Sequence, residues 1–142
     1  MWADSLLVIE RAHLLRFMVW GGASLLLGAT LFLALRARRE HSSFLSWFAL
    51  MTASWGAVDL GLALWAMSTL ALRDLAGATR LDRFLWLNIG LDAGYVMVGF
   101  TLLVVGWRLA RRAGAMGAGI AIIVQGAALT GLDLALAMQI SR

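Results

Sequence analysis

Three aspartates stand where the chain otherwise avoids charge. Asp59 lies in "WGAVDLGLA", Asp92 in "LNIGLDAGYVMVG" and Asp133 in "VQGAALTGLDLA". Near them stand Trp55, Asn88, Tyr95 and Gln125, which add amide, indole and phenol groups. Carboxylic acids gathered in apolar surroundings can hold a proton, bind a cation or accept hydrogen bonds from a polar headgroup. Indole and phenol rings beside them add stacking or cation–π contacts. Oxygen ligands of this kind also suit Mg²⁺ or Ca²⁺, so a metal held by Asp59, Asp92, Asp133 and Gln125 is chemically allowed.

Spacing gathers these groups. Asn88, Asp92, Tyr95 and Gly99 are separated by four, three and four residues, which is one face of a helix. Thr52, Trp55 and Asp59 repeat the pattern, and the Trp55 indole N–H is within one turn of Asp59. Gln125, Leu129 and Asp133 form a third face. An ionised Asp at mid-bilayer costs roughly 2.5–3.5 kcal/mol, so three facing lipid would cost on the order of 8–10 kcal/mol, comparable to the stability of a domain. They are therefore expected to point inward. Read by depth, the polar cluster lies in the half of the bundle nearer the chain termini, so any pocket should open there.

The elements that must position these groups follow from composition. Of 142 residues, 62% are hydrophobic and 14% charged, more apolar surface than a soluble domain of this length can bury. The apolar residues form four blocks between charged punctuation, each long enough to cross about 30 Å of hydrocarbon as a helix. Backbone groups in lipid must be satisfied within the segment, which selects helices over unalternating strands. The chain thus reads as a single all-α membrane domain, residues 1–142, a four-transmembrane-helix up-down bundle with spans at about 14–36, 43–70, 84–107 and 114–140. "AVDLGLA" (57–63) matches "GLDLALA" (131–137), which suggests two tandem helical hairpins.

Absences narrow the chemistry. There is no Cys and no Pro, and all twelve basic residues are Arg. Disulfides, thiolate metal sites, Schiff-base lysines and proline kinks are excluded. The Arg residues punctuate the blocks instead of forming one exposed stripe, which argues against a nucleic-acid partner. They read as topology determinants, with anionic-lipid contact as a further use. No Arg, Lys or His is expected well inside a span to pair with the aspartates. His13 and His41 read as interfacial residues at opposite span ends. Trp2, Trp47, Trp86 and Trp107 fall near span ends, as Trp does in membrane proteins. "RARR" and "RLARR" are dense clusters against helix ends, which places that side in the cytoplasm and both termini outside.

Gly90 and Gly94 form a G-x-x-x-G pair on the face of the third span opposite Asp92. Such pairs let helices approach closely. Packing against the first span, which offers "GGAS" and Gly28, is the expected use, and a homodimer seam is the alternative.

The three aspartate-bearing motifs resemble those of a family of small bacterial integral membrane proteins of unknown function, over about residues 12 to 138. The resemblance implies four spans and a shared polar core at Trp55, Asp59, Asn88, Asp92, Tyr95, Gln125 and Asp133, in a bacterial inner-membrane protein. It implies no activity and leaves any cofactor or metal unknown.

The residues favour a protein that binds, or conducts, a cation, a proton or a small polar or lipid-like ligand in an acidic intramembrane pocket. The alternative is a structural or accessory subunit whose acids form a protonated hydrogen-bond network and whose third span docks a partner membrane protein. An enzyme is the least supported reading, because no Cys, Lys or interior His is available as nucleophile or base.

Overall fold

A computed structural model describes residues 2–109 and 111–140. Met1, Ala110, Ser141 and Arg142 lie outside them. Four helices follow one another: α1 (Trp2–Ala37), α2 (Ser43–Ser68), α3 (Leu75–Arg108) and α4 (Ala113–Ile140). Each is long and apolar enough to cross a membrane.

The helix boundaries differ from the expected spans at two places. α1 begins at Trp2 and α3 at Leu75, well before residues 14 and 84. Hydropathy marks where a helix enters hydrocarbon, whereas helical hydrogen bonding continues past it. With 36 residues α1 is about 54 Å long, far more than the roughly 30 Å of hydrocarbon. The start of α3 is set by a cap: the Asp74 carboxylate accepts from Gly77 N–H at 2.7 Å. Ser42 caps α2 in the same way, accepting from Leu45 N–H at 3.3 Å.

The bundle is two antiparallel hairpins, α1–α2 and α3–α4, joined mainly where α2 meets α4. α4 touches all three other helices, while α3 has close backbone contact with α4 alone. Each hairpin closes along a seam of small residues spaced by seven. Gly21 and Gly28 of α1 press on Ala49, Ala53, Gly56 and Asp59–Leu60 of α2. Gly99 and Gly106 of α3 meet α4 at Gly119, Ile123 and Met116, and Gly126 of α4 sits on the backbone of Asp92 and Val96. With lipid as solvent, such backbone proximity and the dispersion contacts it permits hold helices together.

The G-x-x-x-G expectation is corrected here. A methyl group added at Gly90 or Gly94 would meet nothing within 4 Å. α1 and α3 make no close backbone contact. Gly28 packs on α2 instead, because consecutive spans joined by a short loop can align along their full length, whereas α1 and α3 lie on opposite sides of the α2–α4 contact.

Both hairpin loops turn through an arginine in the left-handed region, Arg39 at φ 54° and Arg111 at φ 47°. At the first, Glu40 N–H donates to Leu35 C=O at 3.0 Å and Arg39 N–H to Arg36 C=O at 3.2 Å. This is the paired helix stop that normally uses glycine at the left-handed position. Arg39→Gly is therefore expected to raise stability by up to about 1 kcal/mol, measured as the unfolding midpoint in detergent. A loss of stability would mean that the guanidinium makes a compensating contact.

Candidate functional site

The interior polar groups form two layers and a mouth. Asp59, Gln125 and Trp20 make the inner layer, one residue each from α2, α4 and α1. The Gln125 amide donates through Nε2 to Asp59 Oδ2. The Gln125 carbonyl Oε1 accepts from the Trp20 indole N–H at 3.2 Å. One amide thus serves a carboxylate and an indole on two other helices. Asp59 is 2% exposed and Gln125 5%, so the contact between them is buried, while the one from Trp20 is part-buried. The seam explains why they meet: Gly21 follows Trp20 in sequence and lets α1 ride directly on α2 at Asp59–Leu60.

The outer layer is His13 and Asp133, from α1 and α4. His13 Nε2 lies 3.3 Å from Asp133 Oδ1, and both side chains are about 10% exposed. The imidazole also stacks on Phe17, with ring centroids 6.1 Å apart and planes inclined by 13°. Asn88 of α3 is the next polar neighbour of Asp133. Asp92 is 7% exposed and lies between the layers, close enough to act electrostatically on both Asp59 and Asp133.

At the mouth, Arg73 grips Glu10. The guanidinium donates through Nε to Oε2 at 2.8 Å and through Nη2 to Oε1 at 2.5 Å. Glu10 is buried although it sits near the start of α1. Its hydrogen bonds raise the Arg73 pKa above the usual arginine value, so the pair stays ionised on the arginine side.

Between mouth and outer layer lies a cavity of about 300 Å³. Its polar lining is Glu10, His13, Thr69, Arg73, Asn88 and Asp133. Its apolar lining comes mainly from Phe17, Leu62, Trp65, Leu81, Phe84 and Leu136. The cavity lies at the termini end of the bundle, among the start of α1, the end of α2, the start of α3 and the end of α4.

Several expectations need correction. His13 is not an interfacial residue but the partner of Asp133, so at least one aspartate has a basic neighbour. The boundary drawn at Arg16 concealed it, because α1 continues inward from residues that hydropathy assigns to the flank. Trp55 does not reach Asp59 by a hydrogen bond among the described contacts; its ring meets Tyr95 edge-on, with centroids 5.1 Å apart and planes at 62°. Tyr95 is 39% exposed and, with Trp55, lines a separate small space beside Gln125, outside the main cavity. Among the described residues no three carboxylate or imidazole groups converge as metal ligands, so Asp59, Asp92 and Asp133 do not form the oxygen cage that their types allow.

Glu10, His13, Trp20 and Arg73 are the residues that the motif reading misses. Glu10, His13, Phe17, Trp20 and Ser24 follow one another at spacings of three and four. That run is a polar and aromatic stripe on one face of α1, and it carries the signal.

Four helices, each long and apolar enough to cross a membrane, pack by small residues around carboxylates, an amide and an imidazole, which defines a small all-α bundle with a polar core. A profile for a family of unknown function, DUF6992, matches residues 16–134. The chain belongs to that family. No curated protein and no solved structure gives a significant match.

Proposed function

We propose that this protein binds a small ligand in the termini-side cavity, and that the ligand carries a cationic or hydrogen-bond-donating group. The observation that carries this reading is the His13–Asp133 pair set in the wall of a cavity of about 300 Å³ whose mouth is spanned by Glu10 and Arg73. A structural network needs no such space. The wall is rich in acceptors: Asp133 faces the cavity, Asp92 stands behind it, and among the described residues the one guanidinium in the lining is already held by Glu10. Imidazole and carboxylate side by side can also hold one proton between them and release it when a cation arrives. We place the protein in the bacterial inner membrane with both termini outside, on the strength of "RARR" and "RLARR" at the opposite helix ends.

A second reading has its own support. Among the described residues, no fully buried side-chain nitrogen or oxygen lacks a hydrogen-bond partner. The inner layer, Trp20–Gln125–Asp59, is accordingly suited to a structural role, as in an accessory subunit whose acids form a closed network.

Thermal unfolding of the detergent-purified protein separates the two. A ligand at a hundred times its Kd stabilises by about 2.7 kcal/mol. Titration with alkali cations and small amines is expected to raise the unfolding midpoint of the native protein. Asp133→Asn and His13→Leu should abolish the rise. If neither class of probe stabilises the native protein, and both variants unfold with it, the cavity is not a cation or amine site and the structural reading stands.

A further inference from the structure

The termini-side cavity has one incomplete wall. α1 closes on α2, α3 closes on α4 and α2 meets α4, but α2 and α3 make no close backbone contact. They are joined across a side-chain-wide gap by Trp55 and Tyr95, ring edge to ring face. Nearer the termini the same gap is lined by Leu62, Trp65 and Ala66 of α2 and by Leu81, Phe84 and Leu85 of α3. Trp65 is 68% exposed and Phe84 56%, so these rings line the cavity while also facing outward. In a membrane, what lies outside them is the hydrocarbon of the nearer leaflet. The polar groups are placed differently: His13 and Asp133 come from α1 and α4, with Asn88 of α3 beside Asp133, while Glu10 and Arg73 sit at the outer end.

A cavity with an apolar wall that opens sideways to lipid, and an acceptor-rich wall behind it, matches one shape of ligand. We infer that the occupant is a single-chain amphiphile with a cationic, hydrogen-bond-donating head, admitted from the adjoining leaflet between α2 and α3. Its head lies against His13 and Asp133, and its chain leaves past Trp65 and Phe84. This inference rests on reading the cavity as a ligand site and adds the class of ligand and its route. A soluble cation would need only the end guarded by Glu10 and Arg73, and would have no use for a lateral slot lined by aromatic rings.

The test uses the full chain in phosphatidylcholine nanodiscs, with dodecylamine, butylamine and dodecyl sulfate as probes and the thermal unfolding midpoint as readout. Dodecylamine is expected to raise the midpoint by several degrees, at concentrations at least about tenfold below those butylamine requires, since each methylene moved out of water adds to binding. Dodecyl sulfate should give no rise. Ala66→Trp, which fills the slot from the α2 side, should lose the dodecylamine response, whereas partitioning of the probe into lipid would be unaffected by it. Should that variant fail to fold, Leu62→Trp on the exposed part of the same wall takes its place. If butylamine acts at the same concentrations as dodecylamine, the cavity is a small-cation site and the amphiphile inference falls while the proposed function stands. An equal rise with dodecyl sulfate, or a response that survives filling the slot, also overturns the inference. If no probe shifts the native protein, both fall.

Discussion

Gly56→Ala is expected to lower the stability of the bundle by about 1–3 kcal/mol, while Gly61→Ala on the same helix leaves it unchanged or raises it by up to about 1 kcal/mol through helix propensity. The two glycines differ in what surrounds them. A methyl group at Gly56 would fall on the backbone of Leu25 and Gly21, with Gly21 C=O at 2.7 Å and Ser24 Cβ at 2.8 Å. At Gly61 it would meet nothing within 4 Å. Backbone cannot swing aside as a flexible side chain can, so α1 and α2 must separate along the seam. The separation would also move Trp20 away from Gln125, because Trp20 adjoins Gly21. Unfolding of both variants by titration with a denaturing detergent measures the difference directly. Equal behaviour of the two would show that the α1–α2 seam is not close-packed at Gly56.

Gln125→Leu is expected to cost about 1–3 kcal/mol, and most of that loss should return in the double variant Asp59→Leu/Gln125→Leu. The single change leaves the 2%-exposed Asp59 without its amide donor and the Trp20 indole without its acceptor. A buried polar group stripped of its partner costs more than the hydrogen bond was worth, whereas removing both Asp59 and Gln125 leaves an apolar contact between them and only the part-buried Trp20 indole without its acceptor. The same unfolding assay on the two single variants and the double variant completes a mutant cycle. Additive losses would mean that Asp59 and Gln125 act independently, and that the inner layer is not a coupled network.

How much of this could be read from residues alone depended on whether energy or geometry set the answer. The four helices are legible because burying or solvating each apolar block leaves few alternatives to a membrane span. The inward position of Asp59, Asp92 and Asp133 is legible because the cost of exposing them to lipid is large; the meeting of Asp59 with Gln125 is not, since spacing within one helix does not say which face of another it meets. Helix ends are not, since caps such as Asp74 and the hydrated continuation of α1 lie outside the hydrocarbon and leave no hydropathy signal. His13 escapes the motif reading because Arg16 marks the apparent span boundary, although α1 carries His13 buried against Asp133. Gly90 and Gly94 misled for another: a small-residue pair marks where a helix can be approached, not which helix approaches. The heptad seams at Gly21 and Gly28, and at Gly99 and Gly106, carry the better signal, because in each hairpin they face small residues on the following helix, among them Gly56 in α2 and Gly119 in α4.

The connectivity of the contacts also has a bearing on how the molecule is made. The glycine seams join helices that are neighbours in the chain, so each hairpin can close soon after its own two segments enter the bilayer. The contacts that build the site are of the other kind: His13 with Asp133, Trp20 with Gln125 and Asp59 with Gln125 all link the first hairpin to the second. The polar core is therefore completed only when two already formed hairpins dock, as the last event of biogenesis. A molecule held by the cavity would draw its binding energy from that docking step, so its presence during synthesis would act as a chaperone for assembly, not for insertion.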